Sequence, residues 1–162
     1  MVKEMYRAML GKVREGNKAP MFSAMDIRGE KFDTGAYLGK SNLALFFYRG
    51  HWCSTCGNEL KGLKQEYDHI KQLNTEVVAI STDNPDETKN LAVDLKLPFK
   101  MISDPDHRII DEYGVFDSEN GTAFITLILI DKEGIVRHKK IVEGLEDMFS
   151  ANDVTEQLTE MD

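Results

Sequence analysis

The chain has 162 residues, of which 41% are hydrophobic and 30% are charged, and its formal net charge is -8. This size and composition are typical of a soluble globular protein with one substantial core, so we expect residues 1–162 to form a single domain. The acidic charge argues against nucleic acid as the main partner. The sequence has no long basic run, and its one basic cluster, residues 137–140, fits the solvated face of an edge strand.

The N-terminal residues 1–16 carry charges throughout and have no uninterrupted apolar run, so we expect no signal peptide. The longest apolar stretch, residues 124–130, spans seven residues, which is too short to cross a bilayer. We therefore expect a cytoplasmic protein with no membrane partner. In that compartment a pair of cysteines is more often catalytic or metal-binding than a structural crosslink.

The start of the chain predicts a helix followed by a hairpin. Apolar residues recur there at helical spacing, which predicts an amphipathic helix over 3–13. We assign residues 1–15 to an N-terminal helical extension that packs on the main body or on a second subunit, so a homodimer is compatible with the sequence. The turn signals that follow predict a hairpin with strands near 21–25 and 31–33.

Residues 43–48 are continuously apolar, which predicts a core strand buried on both faces, as in a parallel or mixed sheet. The elements that follow are a helix over 58–73, a buried strand over 76–81, a helix over 85–95 that Asn84 caps, a strand over 99–102, a short helix over 107–113, a hairpin with strands over 124–131 and 135–142, and a last helix that Ser150 caps. Strands that alternate with helices predict an α/β domain with a central mixed sheet flanked by helices. Their order is that of a thioredoxin-like fold.

The sequence RGHWCSTCGNEL, residues 49–60, contains both cysteines of the chain, Cys53 and Cys56, and its one tryptophan, Trp52. It lies between the apolar strand and a predicted helix. A thiol at a helix N-terminus faces unpaired N–H groups and the positive end of the helix dipole, and both favour the thiolate. Because the thiolate is the nucleophile, this position predicts a redox-active C-x-x-C pair.

Two other interpretations of the cysteine pair have to be weighed. A C-x-x-C pair is half of a structural zinc site, but such a site needs four ligands. The remaining candidates are histidines with no H-x-x-x-H spacing: His51, His69, His107 and His138. We therefore expect no metal and no other cofactor. Inert apolar packing of the thiols is the second interpretation, and the position of the pair between a buried strand and a helix argues against it. Any intramolecular disulfide has to join Cys53 to Cys56.

Most of the chain, from about residue 16 to residue 142, resembles the peroxiredoxin family, which comprises alkyl hydroperoxide reductase and thiol-specific antioxidant proteins. The stretches that carry the resemblance are GNKAPMFSAMDIRGEKF, LGKSNLALFFYRG, VVAISTDNPDETKNLAVDLKLPFKMISDPDHRIIDEYGV and LILIDKEGIVRHKKI. The resemblance implies a thioredoxin-like fold and a thiol peroxidase that reduces hydroperoxides.

The family's active-site motif, Pro-x-x-x-Thr-x-x-Cys, is only partly present. The peroxidatic cysteine matches Cys56, and the acidic residue that usually follows it matches Glu59. Arg49 stands where the family has proline, and Cys53 stands where it has threonine. Glu59 also has a plainer interpretation, as an acid in the first turn of a helix that complements the dipole.

The arginine that the family carries just before the late strand is missing, because its position falls on Ile125 or Thr126. The cis-proline that thioredoxins carry in the same place is missing as well. In the peroxiredoxin family the motif proline and the arginine shield the thiolate, lower its pKa and polarise the peroxide, as preorganised groups at a site of developing charge do, so their absence weakens the peroxidase hypothesis. Arg49 is either a substitute for the lost cation or an ordinary surface arginine. His51 either tunes a thiolate or forms a local hydrogen bond.

The motif Trp52-Cys53-Ser54-Thr55-Cys56 resembles the Trp-Cys-x-x-Cys of thioredoxins, in which the attacking sulfur matches Cys53. Three hypotheses follow. In the first, Cys56 attacks a hydroperoxide, Cys53 closes a disulfide and a thioredoxin-like donor reduces it. In the second, the chain is a thiol–disulfide oxidoreductase that acts on disulfides through Cys53. In the third, it is non-enzymatic: a redox-sensing or partner-binding module, or a metal site bridged between subunits.

Overall fold

The computed structural model describes residues 13–142 and 149–161. The predicted N-terminal helix over 3–13 lies outside these residues except for Val13, which is buried. The strands are β1 (Ser23–Met25), β2 (Lys31–Asp33), β3 (Asn42–Phe47), β4 (Thr75–Ser81), β5 (Lys100–Ser103), β6 (Phe116–Asp117), β7 (Thr122–Ala123), β8 (Thr126–Ile130) and β9 (Val136–Ile141). The α-helices are α1 (Ser54–Gln65), α2 (Tyr67–Gln72), α3 (Pro85–Leu95), α4 (Arg108–Glu112) and α5 (Ala151–Glu160).

The central sheet is mixed, as the sequence predicts. Its five strands follow the order β5-β4-β3-β8-β9. β3, β4 and β5 are parallel, whereas β8 and β9 are antiparallel to their neighbours. All six residues of β3 are buried, which confirms the prediction that this strand is covered on both faces. At the centre of the sheet, β3 pairs with the parallel strand β4 on one side and with the antiparallel strand β8 on the other.

Side chains of β3 divide the core into two parts, because successive residues of a strand point to opposite faces. Ala44 and Phe46, together with Tyr48 beyond the strand end, lie in the core that also contains both cysteines. The residues between them lie in the other core, against α4 and the β1–β2 hairpin. The cysteine loop therefore belongs to one face of the sheet.

The helix after the cysteine loop begins earlier than predicted. It starts at Ser54 with Cys53 as its N-cap, whereas the sequence predicts a start near residue 58. The difference arises because the Cys53 sulfur accepts the Cys56 N–H and so caps the first turn. The predicted single helix over 58–73 is also interrupted at Glu66, so that α1 and α2 are separate helices.

Two predicted helix starts are confirmed by capping boxes. At the start of α3, Asn84 accepts the Glu87 N–H and the Glu87 carboxylate accepts the Asn84 N–H. At the start of α5, Ser150 and Asp153 make the same reciprocal bonds. α5 packs against α1, so the C-terminal helix covers the helix that carries the cysteines.

The remaining differences from the sequence predictions are small. The hairpin β8–β9 is shorter than predicted at both strand ends, and the short ladder β6–β7 was not predicted. The basic residues 137–140 lie in β9, which is an edge of the central sheet, as expected. No helix in the described ranges is long and apolar enough to cross a membrane.

Candidate active site

The cysteine loop follows β3 directly, at the carboxyl end of the parallel part of the sheet. Tyr48 continues the pairing with β4 by donating its N–H to the Ile80 carbonyl at 3.1 Å. A turn closed by the Cys53 N–H on the Gly50 carbonyl, at 3.2 Å, then leads into α1. The strand and the helix thus fix both ends of a loop of a few residues.

Cys53 and Cys56 are joined in a disulfide, with their Cα atoms 5.3 Å apart. The pairing is the one that the sequence allows. Each sulfur also accepts one main-chain N–H: Cys53 Sγ accepts that of Cys56 at 3.2 Å, and Cys56 Sγ accepts that of Arg49 at 3.5 Å. Donors of this kind stabilise negative charge on a sulfur after reduction.

The two cysteines differ in accessibility. Cys53 is 9% exposed and Cys56 is 0% exposed. Because thiol–disulfide exchange depends on access to the sulfur that is attacked, an incoming thiolate meets Cys53 first. The disulfide is therefore open to a reductant from the side of the helix N-cap.

The side chain and the main chain of Arg49 contact different groups. Its guanidinium carbon lies 4.8 Å from the centroid of the Trp52 ring, a cation–π arrangement. Trp52 is 55% exposed. The hydrogen bond to Cys56 comes from the main-chain N–H of Arg49. The residue that replaces the family's proline thus supplies a donor that a proline lacks.

His51 makes two hydrogen bonds with Asp83, a residue that the sequence alone does not indicate. Its N–H donates to Asp83 Oδ2 at 2.8 Å, and its Nδ1 lies 3.1 Å from Asp83 Oδ1. Its Nε2 lies 3.8 Å from the carboxylate of Glu87. The hydrogen bond with Asp83 raises the pKa of His51 above its ordinary value, against the effect of burial, and the negative charges of Asp83 and Glu87 add to the rise.

Asp83 could have been found from the topology. It follows β4, and the carboxyl ends of neighbouring parallel strands meet at one edge of a sheet. A polar residue just after β4 therefore lies beside the loop that follows β3. The sequence points only to the neighbouring Asn84, as the cap of a helix.

His51, Asp83 and Glu87 are the residues that come nearest to a metal-binding group within residues 13–142 and 149–161. One ligand atom from each lies within 4.8 Å of the others. However, the two nitrogens of the His51 ring face different carboxylates, and an ion coordinates one ring nitrogen. The contact of His51 with Asp83 is a hydrogen bond, and its contact with Glu87 has the distance of an ion pair.

Glu59 lies on α1, one turn beyond Cys56, and is 8% exposed. Burial raises the pKa of its carboxyl to about 7, the negative charge of Asp153 adds to the rise, and Lys140 opposes it. Because α1 begins at Ser54, Glu59 does not belong to its first turn. The interpretation of Glu59 as a first-turn acid is therefore wrong.

The position of the missing arginine is filled by uncharged residues. Ile125 is buried in the same core as both cysteines. Thr126 is buried too, and its hydroxyl donates to the Phe124 carbonyl at 2.9 Å. Neither residue offers a charge to the sulfurs, which agrees with the departure from the family pattern seen in the sequence.

Two curated proteins illustrate the similarity in sequence. The chain is 33% identical to the chloroplastic 2-cysteine peroxiredoxin of Chattonella marina var. antiqua, over 80% of this chain and 71% of that protein. It is 29% identical to peroxiredoxin Bcp of Escherichia coli strain K12, over 78% of this chain and 84% of that protein. The chain spans about half of another relative, the chloroplastic 2-Cys peroxiredoxin BAS1 of Arabidopsis thaliana: the match covers 51% of the length of that protein.

Solved structures share the fold. Enterococcus faecalis AhpC superposes with a TM-score of 0.81 at 24% identity, over 92% of each chain. Peroxidoxin BcpB from Mycobacterium tuberculosis superposes with a TM-score of 0.82 at 19% identity, over 93% of this chain and 99% of that one. These superpositions confirm the prediction that the chain has a thioredoxin-like fold, as these peroxiredoxins do.

A family model built from sequences also matches most of the chain. Residues 15–139 match the model of the AhpC/TSA family. This match spans β1 to β8, most of β9, the cysteine loop and α1 to α4, so it includes both cysteines and the residues that contact them. The chain therefore belongs to the AhpC/TSA family, the peroxiredoxins.

Proposed function

We propose that the protein is a thiol peroxidase that reduces hydroperoxides through Cys53 and Cys56. The observation that carries this proposal is the disulfide between the two cysteines at the N-terminus of α1, in a chain of the peroxiredoxin family. A peroxidase cycle needs one sulfur that attacks and a second within bonding distance. This pair supplies both within one helical turn.

The first half of the cycle uses Cys56 as the nucleophile, because this cysteine matches the family's peroxidatic position. Its thiolate attacks the terminal oxygen of the hydroperoxide, the O–O bond breaks, and an alkoxide leaves and is protonated to the alcohol. The sulfur becomes a sulfenic acid. The Arg49 N–H, which donates to this sulfur, stabilises the thiolate before the attack.

The second half of the cycle closes and reopens the disulfide. The Cys53 thiolate attacks the sulfenic sulfur of Cys56, and hydroxide leaves as water after protonation. A thioredoxin-like dithiol then attacks Cys53, the more exposed of the two cysteines. The Cys56 thiolate is the leaving group, and the second thiol of the donor releases Cys53 by a further exchange.

The test is peroxide-dependent oxidation of dithiothreitol with the full chain as catalyst. Consumption of the dithiol should require both peroxide and protein, and a protein in which both cysteines are serine should be inactive. The double variant is the matched control for uncatalysed oxidation. Equal dithiol consumption with the double variant would contradict the proposal.

A thiol–disulfide oxidoreductase is the second candidate, and one observation favours it. Cys53 is the N-cap of α1, accepts the Cys56 N–H and is the more exposed cysteine, which is the arrangement expected when Cys53 attacks a disulfide. Reduction of insulin by dithiothreitol, accelerated by the protein without peroxide, would support this function. Activity in the peroxide assay and none with insulin would support the peroxidase.

A further inference from the structure

Asp83 holds the cysteine loop from the neighbouring strand. Its carboxylate accepts the His51 N–H through Oδ2 and faces the His51 ring through Oδ1. The residue is 6% exposed. A buried carboxylate needs such donors, because an unpaired charge away from water is costly. The main-chain N–H and the ring Nδ1 that the carboxylate contacts both belong to His51. Asp83 therefore binds the loop through the main chain and the side chain of His51.

Asp83 is itself fixed by the ends of two strands. Its N–H donates to the Ser81 hydroxyl at 3.1 Å, and its carbonyl accepts the Ser103 hydroxyl at 2.5 Å. Ser81 ends β4 and Ser103 ends β5. The carboxylate is therefore held in place by the parallel part of the sheet rather than by the loop that it contacts.

The loop has little room beside this contact. A Cβ atom added at Gly50 would lie 2.6 Å from Trp52 Nε1 and 3.1 Å from Asp83 Oδ1. The main chain at this position is thus enclosed between the Trp52 ring and the carboxylate. Gly50 connects Arg49, whose N–H donates to Cys56 Sγ, to His51, whose N–H donates to Asp83. Two main-chain donors of one short loop, two residues apart, are therefore directed to a sulfur and to a carboxylate.

We propose that Asp83 is a positioning residue for the cysteine pair: by binding His51 it holds the loop so that the Arg49 N–H is directed at the Cys56 sulfur. Asp83 acts through His51 and Arg49 and does not contact the sulfur in this account. The proposal concerns the redox site of the proposed function, and it holds whether the substrate is a peroxide or a disulfide.

The negative charge of Asp83 complicates the test, because a nearby anion disfavours a thiolate. Two substitutions separate charge from position. Asp83→Asn removes the charge but keeps an oxygen that can accept the His51 N–H. Asp83→Ala removes both. Both variants lack the charge, so the difference between them measures the loss of the hydrogen-bonding side chain without a change of charge.

The experiment titrates the Cys56 thiolate by its ultraviolet absorbance in the full chain carrying Cys53→Ser, which leaves one thiol and retains an N-cap hydroxyl. We expect the Cys56 pKa to be about half a unit to one unit higher with Asp83→Ala than with Asp83→Asn, because the thiolate loses an aligned donor. Superimposable titrations of the two variants would overturn the proposal. No peroxide is used, so failure here would leave the peroxidase assay as an independent test.

Two further variants keep the result interpretable. Asp111→Asn is the matched control, because it removes the charge of another carboxylate that faces a histidine, His107 Nδ1 at 2.6 Å. Asp111 lies on α4, whose Ile109 and Ile110 pack on the opposite face of the sheet. The control variant should leave the Cys56 titration unchanged. Ser103→Ala removes one anchor of Asp83 and serves if Asp83→Ala does not fold. Because it keeps the Asp83 charge, it should raise the Cys56 pKa above that of the parent, and a titration like that of Asp111→Asn would overturn the proposal.

Discussion

Arg49 contacts Cys56 through its main chain: its N–H lies 3.5 Å from the Cys56 Sγ, while its guanidinium lies over the Trp52 ring. The family motif has a proline at this position, and proline has no N–H. The substitution therefore gives the sulfur a donor at a site where the family's arginine is missing.

This relationship predicts different effects for two substitutions of Arg49. Arg49→Ala keeps the N–H and removes the cation, whereas Arg49→Pro removes both. We expect both to raise the Cys56 thiolate pKa, and Arg49→Pro to raise it more, by up to about one unit beyond Arg49→Ala. The measurement is the pH dependence of thiolate absorbance in the Cys53→Ser background.

Arg49→Lys separates the two roles further. A lysine keeps the charge but lacks the planar guanidinium that stacks on an indole, so it should fall between the parent protein and Arg49→Ala. If Arg49→Ala and the parent titrate alike while Arg49→Pro differs, the guanidinium is a surface cation and the main chain alone serves the sulfur. Identical titrations of all four proteins would remove both roles.

Glu59 predicts a dependence of stability on pH. Its pKa in the folded protein is raised to about 7, above the value of about 4.3 for an unperturbed glutamate. Between these values the folded state binds more protons than the unfolded state, so the free energy of unfolding falls as pH rises. The contribution of protonated Glu59 is complete below about pH 4 and is lost as pH passes 7.

Glu59→Gln should remove this dependence, because glutamine does not ionise. We expect the variant to be more stable than the parent by about 1 to 2 kcal/mol at pH 8, allowing for solvent around the carboxyl, and to differ less at pH 5. Urea unfolding at the two pH values is the measurement. Glu160→Gln, on the exposed end of α5, is the control. A pH-independent difference would show that the effect of the variant is packing and not ionisation.

The pKa of His51 should depend on Asp83. In the folded protein it lies above the ordinary value because of the hydrogen bond with Asp83. The interaction stabilises the fold below the ordinary histidine pKa and is lost as pH rises through the raised value. Asp83→Asn should therefore lower the His51 pKa. The ring proton shifts of His51 in NMR spectra report it, and His107 serves as an internal reference.

Two buried tyrosines provide a matched pair for stability. The Tyr113 hydroxyl donates to the Pro20 carbonyl at 2.6 Å. Among residues 13–142 and 149–161 the Tyr48 hydroxyl has no partner in hydrogen-bonding geometry, although Ser81 lies beside it. Tyr113→Phe should cost about 1 kcal/mol, because it removes the hydrogen bond to a partly buried carbonyl. Tyr48→Phe should be neutral or stabilising. Thermal unfolding measures both, and an equal loss would show that the Tyr48 hydroxyl is bonded.

The fold was largely predictable because its signals are local. Residues close together in the sequence determine each of these signals: the apolar run of β3, the capping boxes of α3 and α5, and the turn of the first hairpin. The start of α1 was missed because cysteine is not an expected N-cap. Here its sulfur caps the helix only in the geometry that brings the two cysteines together.

The site was predictable only in part. The sequence supplies the cysteine pair and the departures from the family motif, since these are read from single positions. The contacts of Asp83 depend on which strands are parallel neighbours, and those of Arg49 depend on the path of the loop. The direction in which a main-chain N–H points cannot be read from the identity of the residue. For this reason the sequence suggested the guanidinium of Arg49, and the structure adds its N–H.

The most direct test of the account is a single turnover with hydrogen peroxide, followed by mass spectrometry of the parent protein, Cys53→Ser and Cys56→Ser. We expect a disulfide in the parent, a sulfenic acid trapped on Cys56 in Cys53→Ser, and no peroxide consumption by Cys56→Ser. Sulfenic acid on Cys53 in the Cys56→Ser protein, with none on Cys56 in the other variant, would contradict the account by making Cys53 the attacking sulfur.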